Sequence, residues 1–161
     1  MSQNSFEKFI TYQLDYLSLL NDKFSNDDTT FRMVLSDTDN TIKCNGFRGS
    51  GSTNTVANMF DVEYDIYVTH NIGCVREFAT RANLDLCDQR FNYYTINQST
   101  KNLDRRLRGK TIDSEFIYVW IDLGNYNASA YRDKRLASKV DSFKKHMLEL
   151  FPTKYVIFIE V

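Results

Sequence analysis

The sequence predicts an α+β fold: one domain over residues 1–161, with a mixed β-sheet carrying about three helices, N-terminal, middle and long C-terminal. Three observations predict it. Apolar residues recur at helical spacing over 6–24 and again over 136–150. Between these stretches, 61–69 alternates apolar with polar residues, and 116–121 is continuously apolar, the two signatures of strands. No repeat, low-complexity tract or linker divides the chain, and a domain of roughly 150 residues buries enough surface to hold a core without disulfides.

The first helix opens on a capping box, Asn4 with Glu7, and presents Phe6, Phe9, Ile10, Gln13, Leu14, Leu17, Leu20 and Phe24 along one face. A strand over 30–35 follows. The turn residues 36–40 and a returning strand over 41–45 complete an expected hairpin. Residues 45–59 read as a long mobile loop. Residues 61–69 read as a half-buried strand, with Val62, Tyr64, Ile66 and Val68 inward and Asp61, Glu63, Asp65, Tyr67 and Thr69 outward.

A second helix is expected over 73–88, on the spacing of Val75, Phe78, Ala82 and Leu86. Phe91–Ile96 is a strand, and 101–110 a basic connector. Glu115–Leu123 is a central strand buried on both faces. A long helix over 129–150 carries Leu136, Val140, Phe143, Met147 and Leu150 and is stopped by Pro152; Tyr155–Val161 is the last strand.

Composition excludes several functional classes. Net charge is −1, which argues against nucleic acid as the main partner. The charge is polarised, however. Residues 1–40 hold three Lys/Arg and seven Asp/Glu, whereas 91–161 hold twelve and eight. Such a pattern can steer one end of the molecule toward an oppositely charged partner, or help two copies pair head to tail. Cys44, Cys74 and Cys87 form no C-x-x-C pair, and with only His70 and His146 beside them no zinc site is expected. Unpaired thiols and the absence of a leader-like N-terminus or a long apolar run point to a cytoplasmic protein without membrane contact.

Within the stretch NGFRGSGSTNTVANM, residues 45–59, Gly46, Gly49 and Gly51 concentrate half of the chain's six glycines into six residues. A phosphate-binding P-loop needs a lysine directly after its last glycine, and here Ser52 and Thr53 follow. The stretch therefore reads as a loop whose Phe47 and Arg48 are contact anchors for a partner. The run KNLDRRLRGK supplies Arg105, Arg106 and Arg108, which suit an acidic protein surface or phosphates.

Asp61, Glu63 and Asp65 at every second residue could bind Mg²⁺ in a nuclease, with Asp122 and Glu160 near the ends of two other strands; the same spacing also marks the solvated face of a strand. No Ser/His/Asp or Cys/His arrangement is recognisable, so no catalytic residue, metal or cofactor is expected.

Over its full length, from MSQNSFEKFI to KYVIFIEV, the chain resembles the small early proteins of T-even bacteriophages, and among them the proteolysis inhibitors. The likeness rests on size, on abundant Asn, Tyr and Phe with AT-rich codons, on a single proline, and on the missing catalytic motif. It implies a homodimeric, non-enzymatic protein of the host cytoplasm that binds the host ATP-dependent protease Lon and stops energy-dependent degradation. It supplies no site residues.

Overall fold

The computed structural model describes residues 5–23, 40–43, 52–107, 114–124 and 134–161. In chain order these form α1 (Ser5–Lys23), β1 (Thr41–Lys43), α2 (Ser52–Met59), β2 (Ile66–Thr69), α3 (Ile72–Arg81), β3 (Asn92–Thr95), α4 (Thr100–Leu107), β4 (Phe116–Ile121), α5 (Lys134–Leu150) and β5 (Tyr155–Glu160).

The strands make one five-stranded sheet in the order β1-β5-β4-β2-β3. Every described pair is parallel, so the sheet is more regular than the mixed one expected. Parallel neighbours need crossover connections, and the described helices supply them. The fold class holds, with five described helices where about three were foreseen.

Alternation along the strands sends side chains to two cores. Val68, Val119, Ile121, Val156 and Phe158 face one side, where α4 contributes Leu107 and α5 contributes Val140, Phe143 and Met147. Tyr67, Trp120, Ile157 and Ile159 face the other, where α1 contributes Ile10, α2 Val56, and α3 Val75, Phe78 and Ala79. The result is a sheet between two helical layers.

That sandwich corrects the reading of 61–69. Only 66–69 is strand, and all four of its residues are buried, because a central strand covered on both faces has no solvated side. Residues 62–64 are turn, and Asp61 and Glu63 are exposed.

Two further expectations are overturned. The second half of the anticipated 45–59 loop is the helix α2, whose Thr55 and Val56 are fully buried. Its Ser, Thr and Asn residues carry weak helix propensity, and packing against α1 and α3 overrides it. The basic connector is likewise helical as α4, because Leu107 anchors one side of it in the core while its charges take the other.

The middle helix is shorter than the expected 73–88. Asn83 has a positive φ of 54°, and Leu84 and Asn83 donate their backbone N–H groups to Ala79 and Thr80 carbonyls. This is a Schellman ending, which caps the last turn and stops the helix. In α1, Ile10 is fully buried but Phe9 is 43% exposed, because the seated ridge runs through Ile10 and Leu14 rather than through Phe9. Asn40 adopts the positive φ expected of its turn, at 51°. β1 pairs with β5, and its expected hairpin partner over 30–35 lies outside the described residues.

Candidate functional site

The outer surface of the α4–α5 layer is strongly basic. The two helices hold eight Lys/Arg and three Asp/Glu. Leu107, Val140, Phe143 and Met147 take the inward positions, so at 3.6 residues per turn the charges fall outward. Lys101, Arg105, Arg106, Lys134, Arg135, Lys139 and Lys145 are all exposed. Asp104 of α4 meets His146 Nε2 of α5 at 2.5 Å, which ties the two helices together.

Arg106 has a further role. Its guanidinium lies 3.9 Å from the centroid of the Tyr93 ring, and it donates to Tyr93 Oη at 2.7 Å and to the Tyr93 carbonyl at 3.4 Å. β3 ends the strand order, so Arg106 reaches around the sheet and covers part of an open edge. Beside it lies an open groove of about 310 Å³ lined by Leu86, Cys87, Asp88, Phe91, Tyr93 and Arg106 among others.

Of the anticipated partner-binding residues, Arg105 and Arg106 are thus neighbours on one exposed basic face. Phe47, Arg48 and Arg108 lie outside the described residues.

The carboxylates proposed for Mg²⁺ part company. Asp65 is buried, and its Oδ2 accepts from Trp120 Nε1 at 2.9 Å and from the Asp61 backbone N–H at 3.0 Å. Burial pushes its carboxyl up to about 6 from an ordinary 3.8, against the lowering effect of those donors. Glu63 is exposed and meets Arg90 at 3.5 Å. Glu160 is buried and meets Lys144 at 2.5 Å, on the far side of the sheet from Asp65's partner Trp120. Among the described residues no three His, Cys, Asp or Glu are grouped to hold a metal ion.

A second polar cluster, which sequence reasoning did not assemble, sits at the carboxyl ends of β2 and β4. Asp122 is 5% exposed, and its Oδ2 accepts from Tyr67 Oη at 2.9 Å and Thr53 Oγ1 at 2.8 Å. Burial and then the Asp122 charge push the Tyr67 phenol up, so Tyr67 serves as a donor. His70 Nε2 donates to the Leu123 carbonyl at 2.9 Å. Only Asp122 had a legible signal, an acidic residue ending an apolar run. Thr53 and Tyr67 lie far from it in sequence and meet it through the crossovers.

Fold and surface together define a sheet between two helical layers, one of them basic outside, with no helix among the described residues long and apolar enough to cross a membrane. In comparison with known proteins, the chain matches no family, no curated protein and no solved structure.

Proposed function

We propose that this chain acts by binding another protein, as a non-enzymatic inhibitor of the host ATP-dependent protease Lon, with the α4–α5 surface docking on an acidic face of the target. The observation that carries the binding role is the charge of that surface, seven exposed Lys/Arg against two exposed Asp/Glu, Asp141 and Glu149, on a chain whose net charge is −1. A surface of one sign steers association with an oppositely charged partner. The choice of Lon rests on the resemblance to the phage proteolysis inhibitors. A cytoplasmic homodimer belongs to the same reading, and the exposed Phe9, Tyr12 and Tyr16 along one side of α1 support a contact between copies.

The test is casein degradation by purified Lon with ATP, with this protein in stoichiometric excess. Inhibition is expected, and Arg105→Glu combined with Lys145→Glu weakens it by about tenfold or more, since like charges at a docking surface oppose association. Undiminished degradation overturns the reading. Salt-sensitive retention of DNA without any effect on Lon assigns the basic surface to nucleic acid instead.

A further inference from the structure

The outer face of α1 is aromatic. Phe9, Tyr12 and Tyr16 are 43%, 68% and 52% exposed, and no other ring among the described residues is as open to solvent. At 3.6 residues per turn the three form one stripe, on the side of the helix away from the seated Ile10 and Leu14. Three rings gathered on one face make a patch rather than scattered surface residues.

Charges flank this stripe on one side only. Lys8 and Asp15 stand there two turns apart, both exposed, and neither forms an ion pair with a described residue. The other flank carries the uncharged Gln13. This arrangement is complementary to itself. A second α1 laid antiparallel across a two-fold axis near Tyr12 sets Phe9 beside the partner's Tyr16. The same operation brings equal flanks together, so Lys8 meets the partner's Asp15, and does so twice. In a parallel pair each flank would meet the opposite one, and both charges would face the side of Gln13.

The two layers of the fold differ in whether they tolerate a copy of themselves. The α1–α2–α3 layer holds Lys/Arg and Asp/Glu in equal number, so two copies approach through it without net repulsion. The α4–α5 surface, with seven exposed cations against two exposed acids, opposes its own copy. Pairing through α1 leaves both basic surfaces outward, because α1 and α5 cover opposite faces of the sheet. The three rings offer roughly 300 Å² per copy, short of the ~800 Å² of a standard interface, so the contact is a dissociable one.

We infer that the outer face of α1 binds a second copy of this chain, as an antiparallel two-fold pair closed by Phe9–Tyr16 contacts and by two Lys8–Asp15 ion pairs. The inference rests on the homodimer of the proposed reading and not on Lon as the target.

The test is sedimentation equilibrium of the full chain, with no other protein present, from about 5 to 500 µM, since a dissociable dimer depends on concentration. A monomer–dimer equilibrium is expected. Lys8→Glu and Asp15→Lys should each weaken it about tenfold or more, because each sets like charges opposite one another twice. The double variant Lys8→Glu/Asp15→Lys rebuilds both pairs in reverse and should return to within about threefold of the wild type. Tyr12→Ala, beside the axis, should weaken pairing about tenfold without touching a charge. All three positions are exposed, and circular dichroism checks that each variant is folded. A monomer at every concentration overturns the inference. So does a dimer that the single reversals leave intact, a loss that the double variant does not recover, or association that continues beyond the dimer, the mark of a head-to-tail contact. Failure here leaves inhibition of Lon standing, and failure to inhibit Lon leaves this dimer standing.

Discussion

The α1–α2–α3 layer carries four Lys/Arg and four Asp/Glu; the α4–α5 layer carries eight and three. The cores beneath them differ as well. Under the neutral layer lie rings: Tyr67 stacks on Phe78 with centroids 3.7 Å apart, and Phe60 packs edge-on against Phe78 and Phe91. Under the basic layer the filling is mainly aliphatic, with Tyr94 stacked on Phe143 at 4.9 Å as its aromatic pair.

Rings with polar tips need partners when buried. The neutral side therefore also holds the buried polar pairs, Trp120 with Asp65 and Tyr67 with Asp122. The basic side keeps most of its charge on its surface, and a buried ion pair joins Lys144 to Glu160. Polar chemistry is thus internal on one side of the sheet and external on the other.

Truncating a ring should have the largest effect. Phe78→Ala and Phe143→Ala should each cost about 3–5 kcal/mol, since both are at most 1% exposed and leave cavities in close-packed cores. Urea denaturation checks both, and a much smaller loss at Phe143 would show that the aliphatic side collapses around the void more readily than the ring side.

Next comes Asp65. Its carboxyl is raised from 3.8 to about 6, so in that window the folded chain holds a proton that the unfolded chain has released. Its contribution to stability is present at low pH and is lost as pH rises toward and through 6. The whole loss is about 3 kcal/mol, at 1.36 kcal/mol per unit. Urea midpoints measured from pH 4 to 7 should fall more steeply in the wild type than in Asp65→Asn; parallel profiles would remove Asp65 from the pH dependence.

The smallest stability effect belongs to the basic surface. Arg105→Glu with Lys145→Glu should change unfolding free energy by no more than about 0.5 kcal/mol each, because both residues are exposed. A loss well beyond that would mean that these side chains hold the layer together, and that their charge is structural.

Much of the fold was legible where one local signal dominated. The spacing of Val140, Phe143 and Met147 placed α5's inner face, and the apolar runs at 116–121 and 155–160 placed two of the interior strands. Reading failed where burial overrode local preference. Tyr67 and Thr69 look outward in the alternation of 61–69, yet a second helical layer buries them. Ser52–Met59 looks like loop chemistry, yet α1 and α3 give it something to pack on.

The basic α4–α5 surface was half legible. KNLDRRLRGK showed its charge, but its helical form and its alignment with the lysines of α5 came from docking. The Asp122 cluster was legible only as one acidic residue at the end of a strand.

The sequence by itself determined periodicity, and with it the first and last helices with the apolar face of the last, and the strands at 116–121 and 155–160. The tertiary structure alone decided the order and direction of the strands, because pairing depends on crossovers that bring distant segments together. It therefore decided that Thr53, Tyr67 and Asp122 meet in one cluster, and that the charges of two separate helices share one face.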